Sequence, residues 1–292
     1  IDLKIKKIDI GSFSVSEKND IELPYSVGLL KNDSIIYSEI FNKTGKIELP
    51  KIDFDYVAVN PIIKLPEFNR SNNWVYGKSR SNLKPLKLKF VGDLENPKYR
   101  TIYYRPEITY NLYDGVSPGV NLINRGIKNR PLSFEIFTQY ASKEETLVGS
   151  MNFRYQLNNE IKNNYSTLFN LYYNTNHYNE NLRYQVFSPS IQINFRDNKN
   201  LRSKIRKSIS LSMFSVDKEN NIENKNSLDK YSIFNLGYYY SDIGIIKYLK
   251  TSVNTEFSNN FGKINLIFDY RKLFNSNRQF QARIYLGKFF WN

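Results

Sequence analysis

The C-terminal stretch, residues 278–292, constrains the fold more than any other part of the chain, and it reads RQFQARIYLGKFFWN. Its side chains alternate with period two, so one strand face would carry Phe280, Ala282, Ile284 and Leu286. A strand that crosses a bilayer needs about 9–11 residues, with alternate residues facing lipid and aromatic side chains at the membrane boundary. The stretch therefore predicts the last strand of an outer-membrane β-barrel. Its four apolar residues would face lipid, and Phe290 and Trp291 would lie at the interface.

The amino-acid composition favours β-structure. The chain contains 23 Tyr and 20 Phe, while Ala58, Ala141 and Ala282 are its only alanines. Aromatic residues favour strands and alanine is the best helix former, so the composition predicts an all-β fold. No run approaches the roughly 18 apolar residues of a membrane-spanning helix. The mean hydropathy of −0.54 is compatible with a barrel, because half of each strand faces a polar interior.

The chain is basic, with 42 Lys and Arg against 28 Asp and Glu and a formal net charge of +14. These basic residues are spread through predicted strands and loops and form no basic helix, so nucleic acid is not an expected partner. Two interpretations remain open. Basic loops could contact the phosphates of outer-membrane lipid and lipopolysaccharide, or the charges could simply solubilise the surface and line the barrel interior. The absence of Cys excludes disulfides, thiolate zinc sites and cysteine nucleophiles.

The first part of the chain differs from the rest. Short alternating runs separated by polar turns occupy residues 3–10, 24–30, 35–41, 46–49 and 55–60. Runs of this length cannot cross a bilayer, and their spacing predicts a small Ig-like β-sandwich over residues 1–70. Residues 71–85 are rich in Asn, Ser and Arg and are predicted to be a linker.

Longer amphipathic runs fill the remaining region, residues 86–292, and predict an antiparallel transmembrane β-barrel of about 12 strands. A strand of about 11 residues, rising roughly 3.4 Å per residue and tilted by about 40°, spans about 28 Å, which suits an apolar band about 25 Å tall. The alternative is a soluble all-β protein whose aromatic strands form a sandwich core. The predicted strands are residues 86–91, 103–113, 116–124, 132–140, 147–156, 165–174, 183–196, 207–216, 231–240, 246–257, 263–271 and 279–290.

Two connections between predicted strands bear on the topology of the barrel. Asp114 and Gly115 stand between two alternating runs and predict a two-residue type I′ hairpin turn. A twelve-strand barrel with its N-terminus in the periplasm would place the long connection 217–229 on the periplasmic side, where turns are usually short. Either the strand list contains an error of one, or the barrel is atypical.

Several short motifs resemble a known family. They are FVGDLENPKY at 90–99, YNLYDG at 110–115, LVGS at 147–150, YRKLF at 270–274 and YLGKF at 285–289. Together they resemble the C-terminal β-sandwich and outer-membrane barrel region of Bacteroidota aminopeptidase-N-like gluzincin metallopeptidases. In that family a zinc domain precedes a β-rich segment and a membrane barrel.

The resemblance implies a role without catalysis in this chain. A gluzincin site needs an H-E-x-x-H helix with two His and a distant Glu, whereas this chain has only His177. We therefore expect no catalytic, metal or cofactor site, and a chain that anchors an N-terminal zinc peptidase domain lying outside it. The implied location is the outer membrane of a Gram-negative bacterium, with the barrel assembly machinery as a partner. The alternatives are a small pore or transport barrel and, third, a barrel lipid hydrolase that uses His177.

Individual residues also have two interpretations each. His177 could act as a general base, but its polar surroundings predict an exposed loop residue. Glu144 and Glu145 could be an acid–base pair, but are predicted to be solvated in a turn. Asp93, Glu95 and Asp114 could bind Ca²⁺, although turn formation explains them as well. Trp74 and Trp291 could stack on a glycan, but an aromatic belt at the membrane interface is the simpler interpretation.

Overall fold

The structure is a computed structural model, and it describes residues 1–9, 11–18, 21–62, 67, 69–78, 83–90, 96–126, 130–159, 163–196, 202–220 and 230–291. Strands make up 72% of it and helix 2%, which confirms the all-β prediction. The chain divides into two compact units, Ile1–Tyr103 and Tyr104–Asn292.

In the described residues, the first unit contains two small sheets and one 3₁₀ turn, Arg70–Asn73. The strands of these two sheets are β1 Leu3–Asp9, β2 Ser12–Glu17, β3 Tyr25–Lys31, β4 Ser34–Phe41, β5 Gly45–Glu48, β6 Tyr56–Val59 and β7 Trp74–Tyr76. One sheet has the order β1-β2-β5 and the other the order β4-β3-β6-β7. Asn32 and Asp33 join β3 to β4 with φ values of 47° and 65°, the left-handed conformation that a type I′ turn requires.

The two small sheets share one buried apolar cluster. The alternating Phe13 and Val15 of β2 contribute to it, as do Val27 and Leu29 of β3 and Val57 of β6. Strand β2 was not among the predicted strands, although its period-two alternation with serine is visible in the sequence. The shared core supports the sandwich prediction in part.

Within the stretch 71–85, expected to be a linker, Trp74–Tyr76 forms strand β7. Strand β7 pairs with β6 and so extends the four-stranded sheet. Trp74 is 6% exposed and packs edge-on against Tyr56. The membrane-belt interpretation of Trp74 is therefore wrong, because its ring belongs to the core of the first unit.

The long strands form one twelve-stranded sheet in the sequential order β19 to β8, which agrees with the predicted number of strands. In the described part of the chain this sheet is not closed into a barrel. The bounds are β8 Leu86–Phe90, β9 Arg100–Asn111, β10 Gly115–Ile123, β11 Leu132–Ala141, β12 Thr146–Asn158, β13 Asn164–Asn179, β14 Leu182–Phe195, β15 Ile205–Lys218, β16 Lys230–Ile243, β17 Lys247–Phe257, β18 Gly262–Leu273 and β19 Gln279–Trp291.

From β10 to β19 every consecutive pair of strands is antiparallel. This part of the sheet is therefore an up-and-down meander with two ends. We call end A the end that carries the β9–β10, β11–β12, β13–β14 and β17–β18 turns and the last residues of β19. End B carries the β14–β15, β16–β17 and β18–β19 connections. Residues 221–229 of the β15–β16 connection lie outside the described residues.

The β9–β10 turn differs from the predicted type. Of Asp114 and Gly115 only Gly115 has a positive φ, of 70°, so the type I′ prediction is wrong. The side-chain oxygen Oδ1 of Asn111 accepts a hydrogen bond from the Tyr113 backbone N–H at 2.8 Å, a local contact that competes with the tighter turn. Three residues, 112–114, therefore connect the two strands.

Candidate functional site

One face of the long-stranded sheet is apolar, and we call it the apolar face. On β19 the predicted lipid-facing residues continue a row from the neighbouring strand, because Leu286 pairs with Leu266 and Ile284 pairs with Phe268. A single row of register partners then crosses eight strands with one polar member. It consists of Leu132, Tyr155, Phe169, Ile191, Leu211, Leu236, Thr255 and Ile264.

The apolar face is exposed rather than packed. Leu132 is 52%, Leu211 50% and Leu236 48% exposed. Monomeric soluble proteins rarely expose contiguous apolar patches beyond a few hundred Å², and a patch that runs across eight strands needs an apolar environment to cover it. The apolar face is therefore a candidate interaction surface.

The opposite face of the same strands is polar, and we call it the polar face. The row next to the apolar one consists of Gln156, Leu168, Gln192, Ser210, Gly237, Asn254, Asn265 and Gly287. Two pairs of opposite charges lie on this face. Glu256 and Lys263 form a 2.8 Å ion pair, and Asp269 is the register partner of Arg283. Alternation thus places mostly apolar side chains on one face and mostly polar side chains on the other.

Aromatic side chains gather at end A, where β17 and β19 end and β18 begins. Trp291 stacks on Phe257 with ring centroids 6.1 Å apart and lies 6.3 Å from Phe290. A Cβ atom at Gly262 would overlap the Trp291 ring, so glycine is required for this packing. The predicted interface residues Phe290 and Trp291 therefore belong to one aromatic cluster.

His177 occupies a different environment from the predicted exposed loop. It lies in β13 and is 6% exposed. Its Nδ1 atom is 2.6 Å from Oδ1 of Asp114, and both side chains are buried. The exposed-loop interpretation is wrong. The sequence could not reveal this contact because 63 residues separate the two positions.

The Asp114 side chain bonds to a part of β13 that does not pair with β12. The β12–β13 ladder ends where Gly149 pairs with Thr175, although both strands continue beyond that point. Gly149 has a φ of 140°, and a Cβ atom there would overlap the Phe137 carbonyl. Beyond it the Asp114 carboxylate accepts a hydrogen bond from the His177 backbone N–H at 3.4 Å. The carboxylate thus takes the place of the β12 backbone as a hydrogen-bond partner of β13.

The same contact requires a strongly curved sheet. Three strand steps separate β10, which follows Asp114, from β13, which carries His177. In a flat sheet these steps would amount to about 14 Å, which is too far for the two side chains to meet. A second side-chain contact also crosses a strand, because Gln139 of β11 donates to Thr109 of β9 at 2.5 Å.

The Asp114–His177 pair is hydrogen-bonded to a neighbouring side-chain amide. Asn111 Nδ2 donates to Asp114 Oδ2 at 2.7 Å. Among the described residues the hydrogen-bond partner of the imidazole is Asp114, and no serine side chain bonds to the ring. Within the described residues the pair therefore lacks the nucleophile–base contact expected of a hydrolytic site.

The other candidate residues have simpler environments. Glu144 and Glu145 lie in the β11–β12 turn, as predicted, and Glu144 Oε1 accepts from the Asn181 backbone N–H at 3.1 Å. Asp93 and Glu95 lie outside the described residues. Within the described ranges no group of three or more His, Cys, Asp and Glu could hold a metal ion. No helix in those ranges is both long and apolar enough to span a membrane.

Comparison with known proteins finds no match to this chain among protein-family models, curated proteins or solved structures. The assignment of function therefore depends on the geometry of the sheet and on the sequence motifs.

Proposed function

We propose that this chain is a non-catalytic anchor that holds an attached zinc aminopeptidase-like domain at the outer membrane through a β-barrel of about twelve strands. The single observation that carries the membrane part of the proposal is the exposed apolar face that crosses eight strands. Lipid is the environment that would cover it. Transfer of a fully exposed Leu, Ile or Phe side chain from water to an apolar medium contributes about 1.5–3 kcal/mol.

The strand lengths fit this environment. Strands β12 to β19 contain between 11 and 16 residues, and about 11 tilted residues suffice to cross the apolar part of a bilayer. In the proposed barrel the polar face lines the interior. The ion pair of Glu256 with Lys263 then lies away from lipid, where charged groups are costly.

Closure of the sheet is part of the proposal. Strand β19 has 13 residues and its outer edge has no strand partner in the described part of the chain. A long unpaired edge with an apolar face promotes aggregation, and within a bilayer its open backbone groups would be costly. We propose that this edge pairs with the other edge of the sheet upon membrane insertion, aided by the barrel assembly machinery. The curvature set by Asp114 and His177 favours this closure.

The anchoring role depends on the motif resemblance to the metallopeptidase family. The motifs at 110–115, 147–150 and 285–289 all lie within strands of the sheet or at their ends. These are the positions at which we would expect motifs shared with a barrel family. Fusion to a zinc peptidase domain would supply the H-E-x-x-H zinc site that the sequence of this chain lacks. Its substrate class would be peptides with a free N-terminus.

Detergent partition and gel mobility test the membrane proposal. The chain should partition into detergent and migrate faster on a gel unboiled than boiled, because a closed barrel resists denaturation by the gel detergent. A Leu211→Asp and Leu236→Asp variant should lose this shift, while a Ser210→Asp variant on the polar face should keep it. Complete solubility of the folded chain without detergent would contradict the proposal.

A pore is the second candidate function, favoured by the small side chains of the polar face. Ser190, Ser208, Ser210 and Ser212 lie close together on neighbouring strands, and in a closed barrel their small side chains would occupy little of the interior. Steady single-channel conductance in planar bilayers would support this alternative. A barrel that inserts without conducting would favour the anchor.

A further inference from the structure

A cavity lies at end B, beside the ends of β14 and β15. It has a volume of about 420 Å³ and is lined by Asn163, Phe195, Arg196, Ile205 and Lys207. Two of these residues are cationic, two are apolar and one is an amide. Such a lining suits a ligand that carries both an anionic group and an apolar part.

Each of the two cationic groups of the cavity lies over an aromatic ring. The Arg196 guanidinium lies over the Tyr165 ring at 5.3 Å, and Lys207 Nζ lies over the Tyr240 ring at 5.8 Å. Among the described residues no carboxylate lies within ion-pair distance of Lys207. Its charge is therefore not neutralised by a neighbouring acid.

The cavity opens at the border of the apolar face. Phe195 is the register partner of Lys207 and lies two residues beyond Ile193, which pairs with Ile209 of the apolar face. The period of two places Phe195, Ile205 and Lys207 on that same face. A ligand in the cavity would thus touch the apolar face with one end and the two cations with the other.

Two further lysines mark the same border. Lys247 and Lys272 are direct register partners at end B, and like charges directly opposite each other destabilise a strand pair. Asp242, the register partner of Ile205, is an acid on this border. At end A, Lys230 and Asp217 form an ion pair at 2.9 Å. The facing Lys247 and Lys272 therefore add unbalanced positive charge to end B.

We propose that the end B cavity binds the phosphate group of a membrane lipid, with Arg196 and Lys207 contacting the phosphate and Phe195 and Ile205 contacting the adjoining apolar chain. This inference rests on the proposed membrane function and identifies end B as the end that faces the phosphate-rich leaflet. A lipid is favoured over free phosphate because the cavity joins the apolar face. The amide of Asn163 is placed to contact a polar headgroup atom.

Lipid titration tests this assignment. The full chain, folded in an uncharged maltoside detergent, would be titrated with dioctanoyl phosphatidic acid, with dioctanoylglycerol and with inorganic phosphate, and the unfolding temperature would report binding. Phosphatidic acid should bind saturably. Lys207→Gln should weaken it by about tenfold or more, since a charge-assisted hydrogen bond contributes that much. Lys207→Arg keeps the charge, and Lys288→Gln removes a cation from the apolar face at end A; both should leave the affinity nearly unchanged.

Each other outcome overturns the inference. Equal binding of dioctanoylglycerol would show an apolar site only, and equal binding of inorganic phosphate would show a simple anion site. An equal loss of affinity for phosphatidic acid in Lys207→Gln and Lys288→Gln would show non-specific attraction between charges. A chain whose heat-modifiable migration is normal but which ignores phosphatidic acid contradicts this inference alone. A chain that folds without detergent contradicts the proposed function as well.

Discussion

His177 and Asp114 are joined by a 2.6 Å contact between Nδ1 and Oδ1 across three strand steps of one sheet. This contact is buried on both sides. It binds β13 to the β9–β10 turn without any backbone ladder between them.

Removal of either partner should destabilise the folded chain. Asp114→Ala and His177→Ala should each lower the free energy of unfolding by about 1–3 kcal/mol, because each leaves a buried polar partner without its hydrogen bond. The double variant should cost much less than the sum. Urea unfolding in detergent would measure all three, with Glu145→Ala as the exposed control. Single-variant losses below about 0.5 kcal/mol would show that the contact does not hold the sheet.

The two faces of β19 should differ in their tolerance of charge. Ile284→Lys or Leu286→Arg should reduce membrane assembly strongly, because a charge facing lipid at the midplane costs about 2–4 kcal/mol. Arg283→Lys on the polar face should cost little. The fraction of heat-modifiable protein gives the measurement. Equal tolerance at positions 283 and 284 would mean that the strand does not cross the membrane.

Cysteine labelling should distinguish the same two faces directly, since the chain contains no cysteine. In Tyr285→Cys a hydrophilic maleimide should reach the thiol in the folded protein if the interior is wet. In Ile284→Cys the thiol should stay protected by lipid. Both variants should label fully after denaturation, and equal labelling of the folded forms would argue against the assigned faces.

Gly262→Ala should displace Trp291 from the aromatic cluster, because the added methyl group would occupy the space of the ring. We expect a shift in tryptophan fluorescence and a loss of stability of about 1–3 kcal/mol, typical of overpacking. In a Trp291→Leu background the same substitution should cost less. A cost independent of residue 291 would locate the strain in the backbone instead.

The isolated chain should not hydrolyse aminoacyl or peptide substrates, with or without added zinc. The chain has one histidine, and that residue is engaged with Asp114. Release of a chromophore from aminoacyl anilides would measure the activity. Zinc-dependent turnover that survives His177→Ala and disappears with a chelator would reveal a site elsewhere in the chain.

Local pattern in the sequence was sufficient to predict most of the long strands. The alternation in 263–271 and 279–290 predicts β18 and β19 with boundaries within a few residues, because side-chain direction in a strand depends only on period two. The same pattern predicts the rows of the apolar face once the turns are known. Closure into a barrel stays a prediction.

The failures at His177 and Trp74 have a common physical cause. His177 lies among Asn and Tyr, a context that suggests a loop, and its burial depends on a carboxylate 63 residues away. Trp74 lies in a polar stretch, and its burial depends on pairing with β6. Contacts distant in sequence leave no periodic signal, so a single sequence could not predict them.

The meander also determines the order in which the second unit can fold. Every pairing from β10 to β19 joins neighbours in sequence, and a hairpin forms in about 1–10 μs, far faster than contacts that close long loops. Hairpins such as β13–β14 can therefore form early and independently. The bond between Asp114 and His177 closes a loop of 63 residues and should form late. Formation of this bond would then mark the step at which separate hairpins become one curved sheet.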